Sequence, residues 1–425
     1  MLHAEDEVIR KQLLEGSFGL EKESLRVLGD GTLAHTAHPF PEDPHIVKDF
    51  SECQTEINTG VHRSVSGALK ELEEHNRKIY ARLQSLPERE YLWPFSNPPY
   101  IRNEEDIPIA VYQGNQVSKE LYRNYLSGKY GRYKMTFSGI HVNYSFSEEL
   151  LRAEYERHGG AASWREYKDT LYLELAQGLA ECGWILVAVT AASPVLDGSF
   201  VEKGAYDQDV FTGMASVRCS EMGYWNEFPP VFDYTNVQTY ADSMESYVRK
   251  GLLSAPSELY YPIRLKPAGE NSLVHLKKNG ISHIELRMFD LNPLAPAGVE
   301  EKDILFAQLL IVWIACSGQR LLSEKDQVKA VRNFKSAARY DLKTVKIATP
   351  ECEDYFVADE AAKIIESMRE FYHSIDADAD VILDFEYRKF TDQKNRYAWK
   401  VKERYGTGFV KKGLELARIR QEGRL

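Results

Sequence analysis

Four stretches of this sequence alternate polar and apolar residues with a period of two, and carboxylates dominate the polar half. In FGLEKESLRV (18–27), Glu21 and Glu23 fall on one side, Leu20 and Lys22 on the other. In DFSECQTEIN (49–58), Glu52, Gln54, Glu56 and Asn58 oppose Cys53, Thr55 and Ile57, with Asp49 at the start. FSGIHVNYSF (137–146) sets His141, Asn143 and Ser145 against Ile140, Val142 and Tyr144. ISHIELRMFD (281–290) sets His283, Glu285 and Arg287 against Ile284, Leu286 and Met288. Successive side chains of a β-strand point to opposite faces, so each stretch predicts a strand with one polar and one apolar face. Such strands build antiparallel sheets with one side on a core. For a single strand, a wet outer face is the ordinary explanation. Four mostly acidic faces are harder to explain that way, because like charges on neighbouring strands repel and raise one another's pKa. Divalent cations relieve that repulsion. Oxygen ligands with one His favour Mg2+ or Mn2+ over Zn2+, and magnesium held by carboxylates usually also holds phosphates.

The rest of the chain predicts helices and loops around that sheet. Residues 4–15 predict a short helix, and GDG (29–31) a turn into a second strand near Thr32 to Thr36. Leu69, Leu72, Ile79 and Leu83 recur at helical spacing within 66–86. WPFSNPPYI (93–101) reads as a loop, 164–192 as helix, and 198–233 as an aromatic, loop-rich stretch. Residues 258–266 and 282–289 read as strands, paired in a hairpin around KKNG. From about Val299 the pattern is helical. The expected organisation is a strand-rich body, 1–300, and a helical segment, 301–425, packed on it. WILVAVTAA (184–192) and ILFAQLLIVWIAC (304–316) fall short of the roughly 20 residues a membrane helix needs and read as core helices. MLHAEDEVIRKQLLEG lacks the apolar centre of a signal peptide.

The net charge of −11 argues against a general nucleic-acid or anionic-membrane binder. Five cysteines, at 53, 182, 219, 316 and 352, show no C-x-x-C pair and no zinc spacing, which fits reduced thiols in a cytoplasm. Cys53 is expected to point away from the polar face. No Walker loop, no G-x-G-x-x-G after a strand and no H-E-x-x-H occurs. If ATP is used, metals and basic side chains must hold its phosphates. The candidates are Arg123, Lys129, Arg132, Lys134, Arg264, Lys266 and Arg287. Arg287 shares a strand face with Glu285, where an arginine can stabilise charge on a transferring phosphoryl group.

FGLEKESLRV, DFSECQTEINTG, WPFSNPPYI, LYRNYL, FSGIHVNYSF, SVRCSEMGY, ELYYPIR and HIELRMFDLNP occur in this order over roughly 16–300. Together they resemble the glutamate–cysteine ligases in their compact bacterial form. They are also similar to the ligase half of bifunctional glutathione-making enzymes, whose ATP-grasp half does not fit within 425 residues. The resemblance implies an α+β, glutamine-synthetase-like fold: a curved, mainly antiparallel sheet forming a funnel, with helices packed outside. It implies ligation of the γ-carboxyl of L-glutamate to the amine of L-cysteine through γ-glutamyl phosphate, using ATP and Mg2+ (or Mn2+) in the cytoplasm, by a monomer or weak homo-oligomer. Glu21, Glu23, Asp49, Glu56, His141 and Glu285 resemble the metal ligands. Arg287 and Arg123 resemble the arginines gripping the transferring phosphate, with Lys129 and Arg132 as further ATP-binding candidates. Arg218 would hold the acceptor carboxylate, and Phe50, Tyr122, Tyr224 and Tyr260 would surround its side chain. Asp49 or Glu56 would take a proton from the ammonium. Three alternatives stand beside this: another small amine as acceptor on the same fold, a guanidino-kinase-like phosphotransferase, and a non-catalytic metal- or nucleotide-binding protein.

Overall fold

The acidic stretches lie side by side in a seven-stranded antiparallel sheet in the computed structural model, which describes residues 1–202, 205, 208–318, 321–349 and 355–424. Its strands are β1 (Gly16–Val27), β2 (Ile46–Lys48), β3 (Gln54–Asn58), β4 (Tyr91–Leu92) and β5 (Gly139–Phe146). Two short strands, β6 (Val195–Asp197) and β7 (Asp209–Phe211), pair only with each other, and β8 (Ile263–Pro267) and β9 (Ile281–Asp290) complete the sheet. The order is β2-β3-β1-β5-β9-β8, with β4 paired to the end of β1. Register places Glu23 opposite Glu56, Glu21 opposite His141, and Asn143 opposite Glu285. A slip of one residue would turn every one of these side chains into the core.

The other face is the core. Phe18, Leu20, Ile57, Ile140, Val142, Tyr144, Ile284 and Leu286 are buried there. They join one apolar cluster with the helices Val65–Gln84, Trp164–Cys182, Trp184–Thr190 and Glu301–Cys316. The last is apolar on nearly all sides and lies against Trp164–Cys182 and Val65–Gln84, as an all-round hydrophobic helix must. Lys22 is the exception on the core face. Its Nζ donates to Asn76 Oδ1 at 2.9 Å, and burial pushes its ammonium down to about 7. Among the described residues no single helix is long and apolar enough to cross a membrane. The bent pair Trp164–Cys182 and Trp184–Thr190 passes on length and composition, but both halves are largely buried.

Several local expectations are corrected. The opening helix covers only Glu7–Arg10. After GDG the chain makes a single bridge, Val27 to Leu33, instead of a strand. The 49–58 stretch is not one strand: the chain leaves β2 at Lys48, turns through 49–53 and re-enters at Gln54. Glu52 holds that turn, its carboxylate accepting from the backbone of His38 (2.8 Å) and Val111 (2.9 Å) and pairing with Lys48. A short helix, Arg132–Met135, precedes β5. The 164–192 helix breaks at Gly183 with a 56° bend. KKNG turns no hairpin. β8 and β9 do pair, but the helix Leu273–Asn279 joins them, capped by Ser272 and ended by Gly280 at φ 77°. Within 301–425, a two-stranded ladder of β10 (Lys346–Ile347) and β11 (Tyr355–Phe356) interrupts the helices.

The C-terminal helices are tied to the rest. Phe409–Gln421 packs against β4, and Gly413 lies so close to Trp93 that a Cβ would meet the ring at 2.3 Å. Cys53 and Cys219 are buried, Cys182 and Cys316 partly so, and all four are free. Cys352 lies outside the described residues. Burial pushes the Cys53 thiol up to about 11, leaving it little thiolate character.

Candidate active site

Period-two alternation on β1 puts Ser17, Gly19, Glu21 and Glu23 on the half-exposed face. β5 adds His141 and Asn143 beside them, β3 adds Glu56, and β9 adds Glu285 and Arg287. His141 Nδ1 lies 2.8 Å from Glu21 Oε2 and 3.6 Å from Glu285 Oε1, and its Nε2 lies 3.7 Å from Glu23 Oε1. Asn143 donates to Glu21 Oε1 at 3.0 Å. Glu23 Oε2 accepts from the Gly139 backbone N–H at 2.9 Å. The geometry therefore gathers Glu21, His141 and Glu285 into one ligand-sized group, with Glu23 at its edge.

The charge of this cluster is unevenly balanced. Burial works against Glu285, but Arg287 at 3.0 Å and Lys266 at 3.2 Å hold its carboxyl well below its ordinary range. Burial and Glu285 push Glu21 up, while His141 brings it below its usual value. The β1–β3 side lacks such cations. Burial and the charges of Asp49, Glu21 and Glu23 push Glu56 well above its ordinary value, and burial with Asp49 raises Glu23. Among the described residues no Lys or Arg side chain forms an ion pair with Glu56 or Asp49. Five carboxylates thus converge, and among the described residues Glu285 alone of the five forms ion pairs with Lys or Arg.

Arg218 borders the cluster. Its guanidinium donates to Arg287 O at 2.8 Å and lies 3.5 Å from His141 Nε2. It rests directly on Gly139, where a Cβ would meet Cζ at 2.3 Å. Among the described residues, the Nε groups of Arg218 and Arg287 have no hydrogen-bond partner. Asp290, which sequence reasoning overlooked, fixes the loop carrying Arg218: it accepts from Ser216 Oγ (2.9 Å), Ser193 Oγ (2.6 Å) and Ala192 N (2.9 Å). Only its place at the end of an acidic strand, in MFDLNP, signalled it.

An aromatic group adjoins the arginines. Tyr224 and Tyr260 stand edge to face at 4.1 Å, and Arg287 lies 5.8 Å from the Tyr260 ring. Tyr122 and Phe50 join the same apolar cluster. Tyr130, not singled out from sequence, packs on Tyr224 at 4.8 Å and donates to Glu258. A small cavity of about 20 Å³ opens between Arg218, Cys219, Trp225, Tyr260 and Arg287. Where β1 begins and β5 ends, a polar cavity of about 680 Å³ is lined by Ser17, Ser145, Arg63 and Lys168, with Tyr172 and Ser282 from the core side of the sheet.

The remaining basic candidates sit elsewhere. Arg123 Nε donates to Asp49 O, and its guanidinium lies over Tyr112 at 4.8 Å. Lys129 is bound to Glu258 Oε1 at 2.5 Å and Leu252 O at 2.8 Å. Arg132 is bound to Ser127 Oγ, Glu104 O and Ile107 O. Neither Lys129 nor Arg132 is brought to the acidic cluster; Lys129 ties its helix to residues 252–258, and Arg132 is tied to residues 104–107. Arg264 stands opposite Glu285 in register, its charge disfavoured by burial and by Arg287.

A family model described as glutamate-cysteine ligase matches residues 2–251 and 229–337. The glutathione biosynthesis bifunctional protein of Listeria innocua is 35% identical over 384 residues, 87% of this chain and 49% of that protein. The glutamate–cysteine ligase of Clostridium acetobutylicum is 29% identical over 78% of each chain. The crystal structure of a glutamate–cysteine ligase from Francisella tularensis in complex with AMP superposes with a TM-score of 0.84 at 22% identity, covering 96% of this chain and 89% of that one. The chain spans about half the length of the bifunctional relatives it matches.

Proposed function

The chain belongs to the glutamate–cysteine ligase family, and on that premise we propose that it joins the γ-carboxyl of L-glutamate to the amine of L-cysteine, converting ATP to ADP and phosphate. The observation that carries this reading is the uneven charge balance of the cluster. Glu285 has Arg287 and Lys266 beside it, while Glu23, Glu56 and Asp49 lack ion-pair partners from Lys or Arg among the described residues. Burial and like charge raise the carboxyls of Glu23 and Glu56, a repulsion that a bound divalent cation would relieve. Glu21, Glu23, Asp49, Glu56, His141 and Glu285 would hold Mg2+ (or Mn2+), a donor set of oxygens and one imidazole. Bound there, the metal supplies charge neutralisation for phosphate oxygens and the substrate carboxylate.

ATP then binds with its phosphates toward Glu21, where Ser17 and Ser145 continue the polar face of the sheet. Four residues, roughly 13 Å of strand, separate Ser17 from Glu21. Arg287, with its free Nε donor, faces the transferring phosphoryl group, and Arg123 stands beside the Asp49 turn. The γ-carboxylate attacks the γ-phosphorus, giving γ-glutamyl phosphate and ADP. The cysteine amine then attacks the acyl carbon and phosphate leaves. Asp49 or Glu56 takes the ammonium proton. Arg218 and the tyrosines at 122, 224 and 260, with Phe50, receive the acceptor. The free thiols at 53, 182, 219 and 316 suit a cytoplasmic setting. We take 1–300 as the catalytic body and 301–425 as a segment packed on it, in a monomer or weak homo-oligomer.

The test is ADP release with glutamate, cysteine and Mg2+, followed by hydroxylamine in place of cysteine. Release with both, and glutamyl hydroxamate in the second, is expected. ADP release without hydroxamate would replace the ligase reading with a kinase. Release with 2-aminobutyrate but not cysteine would change the acceptor.

A further inference from the structure

A second group of metal-competent side chains lies outside the acidic cluster, on the helix Val65–Gln84. Glu71 and His75 stand one turn apart on it, and His45, just before β2, faces them. One ligand atom from each lies within 4.8 Å of the others, and all three residues are half-buried. We propose that His45, Glu71 and His75 form a Zn2+ site, separate in place and chemistry from the acidic cluster.

Two independent features of the geometry support this. The first is the spacing of the ligand atoms. His75 Nε2 lies 3.4 Å from Glu71 Oε1. A charge-assisted hydrogen bond between these groups closes to about 2.7–2.9 Å. The edge of a tetrahedron with Zn–N and Zn–O bonds of about 2.0–2.1 Å is about 3.3–3.4 Å. The pair therefore stands at the separation of two ligands on one ion.

The second feature is the outer layer of hydrogen bonds. Glu71 Oε2 accepts from the Gly60 N–H at 2.9 Å and pairs with His62 Nε2, which ties that oxygen back and leaves Oε1 for His75. His45 Nδ1 lies 2.8 Å from Asn58 O. A carbonyl only accepts, so Nδ1 carries the proton, and Nε2 is the nitrogen a metal would take. Proteins orient ligating imidazoles and carboxylates in this way, by backbone and side-chain partners on the far atom. Two imidazoles and one carboxylate select Zn2+ over Mg2+ and leave a fourth position for water. The other histidine group, His3, Glu154 and His158, lacks the spacing: His3 Nδ1 is closed onto Glu154 Oε1 at 2.5 Å, and Tyr167 donates to the same oxygen. Zn2+ at the proposed site clamps His45, just before β2, to the helix Val65–Gln84, while Asn58, Gly60 and His62 brace the ligands from outside.

The test uses the full chain saturated with Mg2+ and titrated with Zn2+, then with Co2+ as a visible reporter of coordination. One Zn2+ per chain should bind beside the magnesium, with Co2+ giving the absorption bands of a four- or five-coordinate site. His75→Ala and His45→Ala should each lower Zn2+ affinity at least about 100-fold, and His62→Ala, which removes only an outer partner, about 10–100-fold. Glu21→Gln should leave it unchanged. Circular dichroism checks that each variant is folded, and the half-exposed position of His62 makes it the safeguard if a ligand variant is not. Zn2+ binding that survives His45→Ala and His75→Ala, or that disappears in Glu21→Gln instead, would overturn the site.

Discussion

Glu258 is fully buried beside the aromatic group and accepts from five donors: Lys129 Nζ, Tyr130 OH, Ser254 N and Oγ, and, through its backbone oxygen, Asn226. Burial pushes its carboxyl up, but Lys129, Ser254 and Tyr130 bring it below its ordinary value. A depressed carboxyl contributes stability that is present above the unfolded pKa and is lost as pH falls through the folded one. Glu258→Gln should therefore cost about 3 kcal/mol near neutral pH, because Lys129 loses its partner, and should flatten the acid limb of the stability curve below about pH 4.3. Denaturant midpoints at pH 7 and pH 4 measure this; equal slopes in both proteins would refute it. Gly139 makes a second residue-scale case. Its missing Cβ is the space occupied by the Arg218 guanidinium. Gly139→Ala should displace that arginine at a cost of about 1–3 kcal/mol and raise the KM for the amine acceptor more than that for ATP. Nothing in FSGIHVNYSF distinguishes this glycine from a routine strand glycine, because the pressure on it comes from a residue 79 positions away in sequence, Arg218.

At the scale of elements, the site is a set of strand faces, and the faces were legible because alternation is a local property of the chain. β1, β5 and β9 carry Glu21, Glu23, His141, Glu285 and Arg287 where period two puts them. The 49–53 turn was not legible. Its composition is strand-like, and the interactions that bend it come from His38 and from Val111, far along the chain. KKNG carries a strong hairpin signal that loses to the cap at Ser272, five residues before it, which starts a helix. Since β1 and β3 crowd Glu23 against Glu56 with no cation between them, removing one charge should relax the metal-free sheet. Glu23→Gln and Glu21→Gln should each lower turnover at least about 100-fold; Glu23→Gln should leave the metal-free melting temperature equal or higher, whereas Glu21→Gln, which removes the carboxylate held by His141, should not raise it. Mg2+ should stabilise the wild-type chain by about 2.7 kcal/mol at 100 times its Kd, and the two variants by much less. Calorimetry with EDTA and with Mg2+ reads both; an equal Mg2+ effect in all three proteins would remove these residues from the metal site.

At the scale of the whole molecule, one buried charge network decides whether the C-terminal helices are part of the body. Lys389, on the helix Ala379–Thr391, is almost fully buried and reaches Asp303 Oδ1 at 2.9 Å, Glu386 Oε2 at 2.7 Å and Val189 O at 3.0 Å. Tyr397 donates to the same Asp303 oxygen at 3.0 Å. Four helical segments thus meet at one ammonium: Trp184–Thr190 and Glu301–Cys316, which pack in the sheet's core, and Ala379–Thr391 and Tyr397–Tyr405 from the far end of the chain. A buried network of this kind contributes little over an apolar replacement, but losing one member leaves the others without a partner. Lys389→Met strands two carboxylates and should cost about 3–5 kcal/mol. Burial already pushes the Glu386 carboxyl well above its ordinary value, with Lys389 holding it back. Without the lysine it rises further, so the folded variant binds a proton that the unfolded chain releases above about pH 4.3. The stability of Lys389→Met should therefore fall as pH rises from 5 to 7. Replacing all three groups together, Asp303→Asn, Glu386→Gln and Lys389→Met, should recover most of the loss. Urea unfolding of the single and triple variants at both pH values measures this. A single variant within about 1 kcal/mol of wild type at pH 7 would mean that the C-terminal helices are held by apolar packing alone.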